Sequence, residues 1–287
     1  MRRTALSVSN PHYLTEQGMT ELLNGEIKAI EISFKSPDLE NFNPDFALKN
    51  SAKIGLDLWS FHLPFEPFET INISILDNEI RKNAIIQQSE LIKKAAAAGC
   101  KCVVIHPSGE PIKDEFREEC IKVSQEGLVA LGAVAKSSGI TLCVEDLPRT
   151  CLGRNSAEIN RLISVDDNLR VCFDTNHLLG EKIEDFIFNV GSKIATMHIS
   201  DYDFKNERHW LPGEGDIDWV SLVSALDKVG YNGPFLYELG FKAPATIVRD
   251  RDLIPQDISN NAKMLRALKQ PTPLGKRVPG LKYWYER

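Results

Sequence analysis

Six apolar runs in this sequence end in a single ionisable residue. They read Trp59-Ser60-Phe61-His62, Val103-Val104-Ile105-His106, Leu142-Cys143-Val144-Glu145, Val171-Cys172-Phe173-Asp174, Ala195-Thr196-Met197-His198 and Phe235-Leu236-Tyr237-Glu238. A charge at the end of a buried run is costly on its own, and a metal ion or a polar substrate that gathers several such ends would reconcile them. Separate ion pairs, or rim residues facing solvent, are the alternative for any one of them. Five of the six histidines lie on or just after these ends.

Two local spacings add to the set. Asp174-Thr175-Asn176-His177 places an imidazole three residues beyond a carboxylate, where a tight turn would bring both to one pocket. His198-Ile199-Ser200-Asp201 is followed by a loop rich in glycine and acid, from His209-Trp210 to Asp218-Trp219, in which Asp218 is a candidate helix N-cap. Trp59, Phe61 and Trp210 could form an apolar wall against the C–H face of a sugar, but aromatics near a barrel rim more often belong to the core or an interface. Glu31 ends a further strand-like region and is read as a pocket residue.

The elements that must position these groups alternate. Strand-like runs are expected at Thr4 to Ser9, Ile27 to Ser33, Ile54 to His62, Lys101 to His106, Thr141 to Glu145, Arg170 to Asp174, Ile194 to His198 and Pro234 to Glu238. Helical periodicity is clearest over Ile80 to Gly99, Phe116 to Ser138 and Val220 to Val229, with Gly99, Gly139 and Gly230 as left-handed helix ends. Eight strand–helix units predict a single α/β domain over 1–287, a (β/α)8 TIM barrel of parallel strands, because such barrels set their chemistry at the C-terminal ends of several strands. An open doubly wound sheet uses the same local pattern, but no GxGxxG follows the first strand. Residues 270–287, with three prolines and three aromatics, are expected to extend over the barrel or a neighbouring subunit.

Composition sets the outer limits. Hydrophobic residues at 43% and charged ones at 26% describe a globular chain, and a formal charge of −6 disfavours a nucleic-acid partner. Six cysteines without a repeated spacing read as reduced thiols. Arg2 and Arg3 are followed by no apolar run of signal length, so a cytoplasmic protein with no membrane association is expected. Arg249-Asp250-Arg251-Asp252 reads as a solvated charge run.

The strand-ending glutamate, Asp174-Thr175-Asn176-His177, His198-Ile199-Ser200-Asp201, the Pro212-to-Trp219 loop and the final Tyr237-Glu238 resemble the xylose-isomerase-like barrel superfamily. Within it the similarity is to the sugar phosphate isomerase/epimerase group, which includes the ketose 3-epimerases. In those epimerases the metal ligands come from strands five to eight, so the resemblance implies one divalent ion on Glu145, Asp174, His198 and Glu238. Three carboxylates and an imidazole suit Mn²⁺ first, with Mg²⁺, Co²⁺ or Zn²⁺ as alternatives. It further implies proton abstraction beside a sugar carbonyl through a metal-stabilised cis-enediolate, with Glu145 and Glu238 as acid and base. His177, with His209 or Arg208 from the seventh loop, would bind substrate, and His62 and His106 would line the pocket. Family habit implies a dimer or tetramer.

Two departures qualify the match. The ketose epimerases carry a glutamate six residues past the first ligand, and that position here is Cys151. Their arginine is absent from its usual offset after His198. Inosose and dehydroshikimate dehydratases of the same superfamily offer a lyase as the alternative. Apurinic-site endonucleases share the barrel with an Asp-x-His pair in the seventh loop, which here reads Glu207-Arg208-His209. A barrel that binds a sugar without turning it over is the remaining reading.

Overall fold

Each strand of a parallel barrel is buried on both faces, so alternate side chains serve two different cores. In the computed structural model, which describes residues 2–35 and 38–280, the strands are β1 (Thr4–Val8), β2 (Ala29–Ile32), β3 (Asp57–His62), β4 (Cys102–Ile105), β5 (Thr141–Glu145), β6 (Arg170–Asp174), β7 (Ile194–His198) and β8 (Phe235–Tyr237). Leu142 and Val144 of β5 join the large core between strands and helices, while Cys143 packs inside the ring with Cys102, Val104, Cys172 and Trp59. The lower interior is filled by Ala5, Ala29 and Leu236 around the same tryptophan, whose Nε1 donates to Thr196 Oγ1 at 3.0 Å. The barrel is therefore a packed solid beneath a polar rim.

All eight strands run parallel in the order β7-β6-β5-β4-β3-β2-β1-β8. The two end strands meet through one bridge: Ile199 N–H donates to Leu236 O at 2.7 Å, and Glu238 N–H donates to Ile199 O at 3.0 Å. This nearly closed ring is the expected TIM barrel.

Helices between the strands include α1 (Glu16–Asn24), α2 (Pro44–Ile54), α3 (Phe68–Ile71), α4 (Asn78–Ala97), α5 (Arg117–Ser137), α6 (Ser156–Ile163), α7 (Ile183–Val190), α8 (Trp219–Lys228) and α9 (Pro255–Arg266). Asp218 caps α8 by accepting from Ser221 N–H. Gly99, Gly139 and Gly230 have φ of +86°, +71° and +75°, the left-handed conformation that lets the chain turn from helix into strand. Ile54, expected to open the third strand, instead closes α2, and Gly55 makes the left-handed turn before Asp57.

After β8 the chain forms β9 (Ile247–Arg249), which pairs antiparallel with β10 (Gly275–Arg277). Gln270 binds the end of the seventh loop, accepting from Trp219 N–H at 3.0 Å and donating to Ile217 O at 2.9 Å. Residues 270–280 thus lie along this chain's own barrel, and 281–287 lie outside the described residues. The expected charge run is not uniformly solvated, because Arg249 is buried against Glu214 at 2.7 Å. All six cysteines are buried free thiols. Among the described residues no helix is long and apolar enough to cross a membrane.

Candidate metal centre and active site

The period of two places the last residue of each strand on the same face as the interior residue two before it. Glu145 therefore stands above Cys143, Asp174 above Cys172 and His198 above Thr196, all at the open end of the ring. Each of Glu145, Asp174, His198 and Glu238 offers one ligand atom, and these atoms all lie within 4.8 Å of one another. His198 Nδ1 sits 2.8 Å from Glu145 Oε1, 3.4 Å from Glu238 Oε2 and 3.7 Å from Asp174 Oδ2.

The donor set fits a divalent cation. Asp174 Oδ2 is buried, faces the cluster and has no hydrogen-bond partner, while Asp174 N–H is held by Asp146 Oδ1 at 2.7 Å. Burial pushes the Asp174 carboxyl well above the usual carboxylate range, and Glu238 and Glu145 beside it add to the shift. A bound cation reverses that sign, because it becomes the largest local charge. Burial also opposes the ionised form of Glu145, but His198, His106 and His62 outweigh it and hold that carboxyl well below its ordinary value.

The other oxygen of Glu145 receives two further imidazoles, His62 Nε2 at 3.1 Å and His106 Nε2 at 3.2 Å. His62 Nδ1 donates to Leu63 O at 2.8 Å, so a second proton is needed to bond Glu145. Burial disfavours this imidazolium, yet Glu145 and Glu31 raise its pKa to about 9. In His106 burial wins over Glu145, the pKa falls, and the ring stays neutral, stacked on Phe65 with centroids 4.3 Å apart.

His177 donates from Nδ1 to Asp146 O at 2.7 Å, and its Nε2 meets Glu207 Oε1 at 2.9 Å. Burial disfavours its charge, but Asp174 and Glu207 raise the pKa well above normal. Glu207 is held by Arg149 Nη1, and Arg149 also grips Glu110 at 2.8 Å. An Arg–Glu pair thus occupies the rim where Cys151 replaces the expected glutamate; burial pushes that thiol up to about 12, so it is inert.

A cavity of about 580 Å³ opens over the cluster, lined by Phe65, His106, Glu145, His177, Glu207, His209 and Glu238 among others. His209 reaches it with φ +49° and its Nδ1 3.2 Å from Glu238 O. Several expected site residues lie elsewhere. Arg208 and Trp210 do not line the cavity: Arg208 is pinned by Asp203 at 2.8 Å, and Trp210 donates to Thr246 Oγ1 at 2.8 Å under the Arg277 guanidinium. Glu207 and His209 line the cavity, whereas Arg208 and Trp210 are held by these partners away from it. Trp59 fills the barrel interior, and Phe61 faces the helical layer against Phe42. The aromatic wall is instead Phe65 and Phe68, from the loop after β3 and the start of α3. His62 lines a neighbouring cavity of about 970 Å³ that shares those two rings. Sequence reasoning also missed Asp146 and Arg149, whose only signal was their place just past a strand end.

The fold and this constellation define a family. The model described as Xylose isomerase-like TIM barrel matches residues 25–266, and the chain belongs to that family. The chain is 25% identical over 256 residues to an inosose dehydratase of Clostridium perfringens, covering 78% of this chain and 81% of that one. It is 28% identical over 211 residues to the D-psicose 3-epimerase of Ruminiclostridium cellulolyticum, covering 68% of each. A crystal structure of a D-psicose 3-epimerase superposes with a TM-score of 0.75 at 18% identity, covering 94% of this chain and all of the other, a likeness of fold.

Proposed function

We propose that the protein is a sugar isomerase or epimerase that holds one divalent ion, Mn²⁺ first, on Glu145, Asp174, His198 and Glu238. One observation carries the reading: Glu145 and Glu238 belong to the ligand cluster and also line the cavity, so both can meet a bound substrate. The ion supplies polarisation of a sugar carbonyl and its neighbouring hydroxyl, and so acidifies the adjacent C–H. Glu145 and Glu238 take that proton and return it, passing through an enediolate of the substrate. If the two work from opposite faces, the carbon inverts; if one serves both steps, the carbonyl moves instead. His106, neutral and cavity-facing, binds a hydroxyl. His177, paired with Glu207 through Nε2, lines the cavity and can meet a substrate hydroxyl. Phe65 offers a flat apolar face to the sugar's C–H groups.

The experiment is incubation of the Mn²⁺-loaded protein in D2O with a panel of ketoses, aldoses and inosose, followed by NMR. Deuterium beside the carbonyl is expected, and Glu145→Gln or Glu238→Gln should slow its entry on the order of 10²-fold or more. Full exchange in either variant refutes the acid/base roles. A second reading, a metal-dependent lyase, draws support from the inosose dehydratase similarity over most of the chain. There the same panel would lose water and gain enone absorbance.

A further inference from the structure

We propose that Glu31 is a positioning residue for the metal centre: from beneath the rim it holds His198 in the orientation and tautomer that leave Nδ1 free to ligate. This rests on the metal-site part of the proposed function, not on the reaction.

Glu31 lies on β2, three strands before β5, the first ligand strand in sequence, and is fully buried. It does not line the cavity above the ligand cluster. Ser7 Oγ of β1 donates to its Oε1 at 3.0 Å, and Ser60 Oγ of β3 donates to its Oε2 at 2.7 Å. These two hydroxyls fix the carboxylate plane. Oε1 then sits 3.0 Å from His198 Nε2 across the barrel interior.

His198 has one nitrogen for each task. Nδ1 faces the three ligand carboxylates, and Nε2 is buried with no hydrogen-bond partner, because Oε1 lies off the N–H axis. A neutral imidazole carries one N–H, so an ion on Nδ1 requires the proton on Nε2. A carboxylate acceptor behind the ring selects that tautomer and holds the ring plane, and removal of such partners weakens metal binding by about 10–100-fold. Glu31 is the charged group placed to accept. The Cys172 thiol also approaches His198, but a thiol is a weak acceptor. In the loaded protein the present contact becomes the Nε2–H···Oε1 hydrogen bond.

The test is Mn²⁺ affinity by calorimetry, paired with ¹⁵N NMR of the histidine side chains in the Zn²⁺-loaded protein. Glu31→Leu should raise the Mn²⁺ Kd about 10–100-fold. Glu31→Gln, which keeps an acceptor oxygen, should stay within about threefold of the native value and retain the slowly exchanging Nε2–H signal of His198. Native affinity in Glu31→Leu overturns the proposal, and so does equal weakening in both variants. Should the leucine variant fail to fold, the Ser7→Ala/Ser60→Ala double variant takes its place. Releasing the carboxylate should then weaken Mn²⁺ binding, and unchanged affinity overturns the proposal. A native protein that takes up no Mn²⁺ instead removes the metal centre itself.

Discussion

Asp201→Asn would test how the seventh loop is held over the site. The native carboxylate is fully buried and accepts four hydrogen bonds: Tyr202 N–H at 2.9 Å and Ile217 N–H at 3.2 Å on Oδ1, Gly213 N–H at 2.7 Å and Trp219 Nε1–H at 2.9 Å on Oδ2. An asparagine has one acceptor oxygen, so whichever way its amide turns, two buried donors face another donor. Hydrogen bonds to a charged group are worth about 1.5–3 kcal/mol each, which gives a loss of roughly 4 kcal/mol. For 287 residues the unfolding entropy is about 0.6 kcal/mol per kelvin, so Tm should fall by roughly 7 °C in a scanning-fluorimetry or calorimetric melt. Burial pushes the Asp201 carboxyl up, against the pull of Trp219 and the three backbone donors. A folded pKa above the unfolded one means that the native protein loses stability as pH rises through that interval, while the asparagine variant does not. The form that accepts all four bonds is the ionised carboxylate, so the roughly 4 kcal/mol deficit is read at about pH 7–8, on the ionised side of that interval. A variant that melts within about 1 °C of the native protein across that range would refute the reasoning.

Arg117→Met should cost about 3 kcal/mol, because Arg117 is buried and chelates Glu158 at 2.8 and 2.7 Å while also holding Thr150 O and Cys151 O. Burial opposes the charge on Glu158 but Arg117 outweighs it and lowers the pKa, so this stability is present above about pH 4.5 and lost as pH falls through the folded value; urea melts at pH 7 and pH 3 should show the deficit shrinking in acid. Chelating the ion from protein held at 100-fold excess over Kd should remove about 2.7 kcal/mol, a fall in Tm of roughly 4–5 °C, and an unchanged melt would speak against a metal centre. Gly215→Ala should destabilise by about 3 kcal/mol or more, since the new Cβ would meet Asp201 Oδ1 at 2.0 Å and Tyr202 N at 2.5 Å; a soluble variant with a native melt would contradict that packing.

The strand ends could be read from sequence because a parallel barrel leaves little freedom. Its strands are apolar on both faces, so a lone Glu145, Asp174 or His198 closing such a run has to stand at the rim. The pocket wall was not legible for the opposite reason. Arg149 and His209 take φ of +53° and +49°, and a turn of that kind sets side-chain direction by local backbone rather than by periodicity. In the seventh loop the expected His209 does line the cavity, together with Glu207, whereas Arg208 and Trp210 do not. Phe65 carried no pattern that marked it above Trp59 or Phe61, whose places in the two cores follow only once the register of β3 is known. The sequence marks Glu31 as a pocket residue, yet it sits one residue inside its strand, a tier below the cavity.

The bridge between β7 and β8 has a mechanical consequence. The ring is a hoop whose two loose ends are fastened by a pair of backbone hydrogen bonds at Ile199, and the side chains of His198 and Glu238 flank that fastening, one on each end. An ion shared by these two side chains would act as a buckle. Loading the site would then also tie together the two ends of the ring at the point where the fewest backbone bonds join them.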